Sequence, residues 1–220
     1  MSKYIICFSV VILFGCGSSI EIIDRPINFS EKRVGLTKEY IKNHYKITPE
    51  SLEIDPKIIV LHWTAINNFD SCYALFNREI LNDSRPDLTS AGQVNVSIHF
   101  LVNRDGKIFQ LMPDNMMARH CIGLNYNSIG IENVGGEDNV DNLTDEQIES
   151  NIKIVRTLKK KYPAIEYLIG HHEYRLFENH RLWRETDINY RTVKYDPGSR
   201  FMNAVRIGTI DLNLKGAEDI

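Results

Sequence analysis

Several things are scarce in this 220-residue chain, and each scarcity narrows what it can be. Basic charge is not in excess: 26 Lys and Arg stand against 29 Asp and Glu, for a formal net charge of −3. That balance gives no support to a nucleic-acid partner, which usually needs a strongly basic face. Cysteine is sparse, with four residues in all, which is too few for a disulfide scaffold in a domain of this size. Past the N-terminus no run approaches the roughly 20 apolar residues of a membrane-spanning helix. There is no internal repeat and no low-complexity tract. What remains is an ordinary globular balance, 43% hydrophobic and 25% charged, in a chain long enough for one domain with a full core.

The first residues, MSKYIICFSVVILFGCGSS, carry one early positive charge at Lys3, an apolar run from Tyr4 to Phe14, and then small residues. This layout is that of a secretory signal. Leu13-Phe14-Gly15-Cys16 resembles a bacterial lipobox, so residues 1–15 are expected to be removed and Cys16 to become lipidated. A polar, proline-bearing lead-in over 16–35 reads as a tether, 36–210 as the folded domain and 211–220 as a tail. Of the cysteines left, Cys72 and Cys121 are free to pair or to remain as thiols.

Along the domain, 36–45 predicts a short helix with Thr37 at its N-cap. KIIVLHW, 57–63, is an apolar β-branched run that predicts a buried strand. Residues 68–82 carry Phe69, Cys72, Tyr73, Phe76 and Ile80 at helical spacing. Residues 96–102 and 107–112 flank Asn103-Arg104-Asp105-Gly106, a hairpin signal. SIGIENV, 128–134, predicts another strand. Thr144-Asp145-Glu146-Gln147 is a capping box opening a helix that runs to Lys161. Residues 167–170 form a short strand before two histidines. Strands interleaved with helices predict a single α/β domain with a central mixed sheet flanked by helices.

Four features fall at strand ends or in the loops behind them: His62, Glu132, His171 and the pair Lys194 and Asp196 in KYDPG. Two imidazoles and a carboxylate are a sufficient protein ligand set for a catalytic zinc. The long spacing makes that reading weak by itself, because a histidine ending a buried strand is more often structural. Asp-Pro-Gly, likewise, is ordinary turn chemistry. Glu132 shares a strand face with Gly130, which suits close approach of a ligand.

Taken in order, HWTA (62–65), VSIHFLVNRDGKIFQL (96–111), SIGIEN (128–133), GHHE (170–173) and KYDPG (194–198) resemble the zinc-dependent N-acetylmuramoyl-L-alanine amidases of the type-2 family, relatives of the peptidoglycan recognition proteins. The resemblance spans about 57–201. It implies one Zn2+ held by His62, His171 and Asp196, with Glu132 and Lys194 as catalytic residues. By the family pattern the ligand is His171, directly after glycine, rather than His172. It also places His120 as a candidate for contact with substrate, and leaves His99 as either structural or substrate-facing rather than metal-bound. The implied partner is peptidoglycan or a muropeptide. A lipidated Cys16 implies a bacterial envelope location, at the outer membrane facing the periplasm. A non-catalytic peptidoglycan-binding lipoprotein on the same fold is the alternative, and action on soluble anhydro-muropeptides is a third reading. The chain departs from the compact members in the 22 residues between His171 and Lys194, where Trp183 and Tyr190 either face sugar or pack the segment down.

Overall fold

The computed structural model describes residues 20–82, 86–89 and 91–220; the signal segment and Cys16 lie outside them. Among these residues six strands form one sheet: β1 (Ile22–Asp24), β2 (Ile58–Trp63), β3 (Phe100–Val102), β4 (Ile108–Gln110), β5 (Ser128–Asn133) and β6 (Tyr167–Gly170). Their spatial order is β1-β4-β3-β5-β2-β6. Only β3 and β4 are antiparallel; every other neighbouring pair is parallel. The sheet is therefore mixed, as expected. The hairpin turns at Gly106, whose φ of +78° is open to glycine at little cost, and Asn103 N–H closes it onto the Lys107 carbonyl at 2.9 Å.

Among the described residues five α-helices accompany the sheet: α1 (Glu31–Tyr45), α2 (Phe69–Asn77), α3 (Pro86–Thr89), α4 (Asp145–Lys161) and α5 (Ser199–Gly208). The capping box of α4 forms as the sequence predicts, with Thr144 Oγ1 accepting from Gln147 N–H and Gln147 Oε1 accepting from Thr144 N–H. Ile154, Val155 and Leu158 of α4 and Phe201, Met202 and Val205 of α5 pack on the face carrying Ile59, Leu61, Ile129, Ile131 and Leu168. The opposite face, with Ile58, Val60, Tyr167 and Ile169, meets Tyr40, Ile41 and Tyr45 of α1 and the 117–124 loop. That second face carries the site.

Four expectations are corrected. The helix expected from 36 with Thr37 as cap begins at Glu31, capped by Ser30, whose hydroxyl accepts from Lys32 N–H at 3.1 Å. Thr37 instead donates from inside the helix to the Arg33 carbonyl. The stretch expected to be a tether is part of the fold from β1 onward, since β1 pairs with β4 and Ile27 is buried. The tail is likewise held: Leu168 N–H donates to the Lys215 carbonyl and Lys215 N–H to that of Glu166, both at 2.9 Å. The second helix stops at Asn77 rather than 82. Arg33 and Asn95 reach into its end and donate to the carbonyls of Leu75, Phe76 and Arg78, so the chain leaves in an extended conformation. Among the described residues no helix is long and apolar enough to cross a membrane.

Candidate functional site

Strand register does most of the assembly. In the parallel pair β2 and β5, His62 stands directly beside Glu132, and on the other flank Leu61 pairs with Gly170 of β6. His171 is the next residue and opens a short 3-10 segment, so three adjacent parallel strands bring His62, Glu132 and His171 to one carboxyl edge. In open α/β sheets that edge is where ligands bind. Asp196 arrives from the segment before α5. Its backbone carbonyl accepts from His172 N–H at 2.9 Å, with His172 Nδ1 3.0 Å away. His172 therefore holds Asp196 in place while His171 turns inward. The Asp196–Pro197 peptide is cis.

His62 Nδ1 and His171 Nδ1 are 2.9 Å apart, His171 Nδ1 and Asp196 Oδ2 3.0 Å, and His62 Nδ1 and Asp196 Oδ2 3.3 Å. Zinc–nitrogen bonds of about 2.0–2.1 Å at tetrahedral angles set ligand atoms about 3.3 Å apart, close to this triangle. The donor types also fit, since two imidazole nitrogens and a carboxylate oxygen converge without a cationic side chain among them. Among the described residues this is the cluster of His, Cys, Asp and Glu able to hold a metal ion, and all three members are buried. Burial lowers the imidazole pKa of His62, against the pull of Asp196, and that of His171 to about 4. Neutral imidazoles at neutral pH are the form a metal needs.

Glu132 points to the same space, and its Oε2 is buried with no hydrogen-bond partner. Burial, with the Asp196 charge adding to it and Lys194 opposing, raises its carboxyl well above the ordinary glutamate range. A basic, unpartnered carboxylate beside a cluster that could hold a metal is suited to taking a proton. Lys194 lines the same cleft of about 280 Å3, together with Trp63, Thr64, His120, Thr192 and Tyr195. The Tyr174 hydroxyl fixes the approach to Lys194: it donates to the Thr192 carbonyl at 2.6 Å and accepts from Thr192 N–H at 2.9 Å. Tyr174 was not singled out from sequence, and a hydroxyl bridging 18 residues leaves no local pattern to find.

His99 is not in contact with the cleft. It is fully buried, with Nε2 2.7 Å from the Met116 carbonyl and Nδ1 accepting from Gly130 N–H at 2.9 Å. The substrate-facing reading is corrected: both nitrogens are used to tie the 116 loop to β5. His120 does line the cleft, yet its nitrogens also face protein, Nδ1 toward His62 Nε2 at 3.0 Å and Nε2 toward Ser128 Oγ at 3.2 Å. Its ring occupies the space over Gly130, where a Cβ would come within 2.7 Å of His120 Nδ1. Burial holds its pKa well below the usual histidine range. Cys72 and Cys121 are free, buried thiols, and neither belongs to the cluster that could hold a metal ion.

The segment between His171 and Lys194 packs down. Trp183 stacks on Tyr174 at 6.1 Å, donates from Nε1 to the Glu185 carbonyl and covers Gly123, while Tyr190 is buried and accepts from Arg119. Tyr190 still reaches the cleft wall, so the segment shapes the cavity from behind.

Residues 52–199 match the model of the N-acetylmuramoyl-L-alanine amidase family. The 1,6-anhydro-N-acetylmuramyl-L-alanine amidase AmpD of Salmonella typhimurium is 33% identical over 141 residues, covering 58% of this chain and 73% of its own length. Two solved structures share the fold: the endolysin amidase LysCS of Clostridium intestinale (21% identity, TM-score 0.51, 89% of this chain and 97% of that one) and peptidoglycan recognition protein-LE in complex with tracheal cytotoxin (16%, 0.54, 90% and 98%). The chain belongs to the N-acetylmuramoyl-L-alanine amidase family.

Proposed function

We propose that this amidase is zinc-dependent and hydrolyses the amide between N-acetylmuramic acid and L-alanine in peptidoglycan or muropeptides, in cell-wall remodelling or recycling. The observation that carries the reading is the triangle of His62 Nδ1, His171 Nδ1 and Asp196 Oδ2, with Glu132 beside His62 in register. A zinc ion on these three residues would supply a Lewis acid and an acidified water at neutral pH. Glu132 takes a proton from the attacking water and returns it to the departing alanine nitrogen, so water adds across the C–N bond to leave a lactyl carboxylate and a free amine. Lys194 offers its ammonium to the oxygen that becomes negative as the carbonyl turns tetrahedral. A non-catalytic binder on this fold would not need Glu132 or the full ligand set, and both are present.

Purified enzyme should release stem peptide from sacculi or from anhydro-muropeptides, lose that activity to a chelator and regain it with added zinc. Full turnover by metal-free protein would sink the reading. Running the two substrates side by side separates wall remodelling from recycling, the latter favoured by the anhydro specificity in the name of the Salmonella relative. The N-terminal composition supports attachment at Cys16 to the bacterial envelope, at the outer membrane facing the periplasm. Cys16→Ala should then move the protein from the membrane to the soluble fraction.

A further inference from the structure

We infer that His120 is a positioning residue: together with Ser128 it fixes the tautomer of His62, so that the Nδ1 lone pair of His62 faces the metal site. The inference rests on the zinc reading above and concerns how the chain prepares one of its ligands.

The proton positions follow from the outermost member inward. Ser128 Oγ, fully buried, lies 2.9 Å from the Leu124 carbonyl and has its one proton to give there. Toward His120 Nε2, 3.2 Å away, it therefore presents a lone pair, and Nε2 must carry the hydrogen. A neutral imidazole protonated at Nε2 has a bare Nδ1, so His120 Nδ1 accepts from His62 Nε2 at 3.0 Å. His62, protonated at Nε2 in turn, leaves Nδ1 free, and that atom lies 2.9 Å from His171 Nδ1 and 3.3 Å from Asp196 Oδ2. Run backwards, the same chain would put a hydrogen on His62 Nδ1, where the metal must bind. Metal-bound histidines generally give their second N–H to an oriented acceptor, and here that acceptor is another imidazole.

His120 is built to hold this orientation. Asn125 Oδ1 accepts from the backbone N–H of both His120, at 2.8 Å, and Cys121, at 2.6 Å, while Asn125 Nδ2 donates to Tyr45 Oη. Its ring meets that of His62 edge to face, 5.1 Å between centroids and 84° between planes. The absence of a Cβ at Gly130 leaves the room it occupies.

The test measures zinc affinity by competition with a chromophoric chelator for the wild type, His120→Ala, His120→Asn, Ser128→Ala and His62→Ala. Long-range 15N–1H spectra of the imidazoles in the zinc-loaded wild type accompany it. His120→Ala should weaken zinc binding about 10–100-fold. Ser128→Ala should weaken it by less, and His120→Asn, whose Oδ1 stands in for Nδ1, should recover most of the loss. The spectra should show the ring hydrogen on Nε2 in both His120 and His62. Wild-type affinity in His120→Ala, or a hydrogen on His120 Nδ1, overturns the inference. If His62→Ala also binds zinc normally, the ligand assignment itself has failed; if only the His120 and Ser128 variants do, the relay alone has. Should a variant misfold by circular dichroism, the wild-type spectrum decides by itself.

Discussion

Gly130→Ala is a one-atom perturbation whose consequence can be worked out. Residue 130 lies within β5 in extended backbone that alanine adopts freely, so the change tests space alone. The new Cβ would sit 2.4 Å from Ile98 Cδ1, 2.7 Å from His120 Nδ1 and 2.9 Å from His120 Cε1. Ile98 Cδ1 ends a side chain and can turn away, whereas His120 is pinned by His62, Ser128 and Asn125. With ordinary contact starting near 3.4 Å, the ring must retreat by about 0.7 Å. Taken along the bond to His62, that movement stretches 3.0 Å to about 3.7 Å, beyond hydrogen-bonding range. Overpacking costs about 1–3 kcal/mol, and the entropy gained on replacing glycine in a strand offsets about 0.5–1 of it. A net cost of about 1–2 kcal/mol lowers the Tm by about 2–8 °C in a chain of this length. Loss of the His62 contact should weaken zinc binding about tenfold or more, so the stabilisation gained from zinc should shrink by about 1.4 kcal/mol per decade, read as a smaller rise in Tm. Thermal melts with and without zinc, with chelator competition alongside, measure both. Wild-type melting and wild-type zinc affinity together would show that nothing rigid occupies the space above residue 130.

Three further outcomes are expected. Glu132→Gln should lower kcat by about 10²–10⁴ while zinc stays stoichiometrically bound, read by steady-state kinetics and metal analysis; loss of the metal would instead make Glu132 a structural support of the site. Lys194→Met should reduce kcat by about 10²–10³ with little change in KM, the pattern for a contact made to the transition state, whereas a rise in KM alone would make Lys194 a substrate anchor. Burial lowers the pKa of His99 from 6.5 to about 4, so the unfolded chain takes up a proton that the folded one refuses between those values. Stability should therefore fall as pH drops through that window, by on the order of 3 kcal/mol from this residue. Urea unfolding of His99→Asn should show a slope smaller by about one proton, and parallel curves for mutant and wild type would refute the assignment.

What was legible in the sequence was chemistry that acts over a few residues. The α4 capping box joins Thr144 to Gln147 and formed where expected, and the 167–170 strand, a short apolar run ended by glycine, kept its bounds. What was not legible depends on distant partners. β1 is three residues long, offers no periodicity, and exists because β4 lies alongside it. The early end of α2 is decided by Arg33 and Asn95, 43 and 17–20 residues away in the chain. His62 and His171 are 109 positions apart, so their meeting is a property of β2 and β6 being neighbours, which no spacing rule encodes.

Gly130 shows how a correct local inference can have the wrong object. A glycine two residues before Glu132 on the same strand face does mark a place where something comes close, and from sequence that something was a ligand. The space belongs to His120, delivered by a loop whose course is set by Asn125 and Tyr45. The consequence for the site is larger than a filled gap. Strand register alone places His62 beside Glu132 but leaves its imidazole free to carry a hydrogen on either nitrogen. Selecting the nitrogen takes a second layer, His120 and Ser128, and that layer fits only because residue 130 has no side chain. The glycine thus acts on the metal site through two imidazoles, without touching a ligand itself.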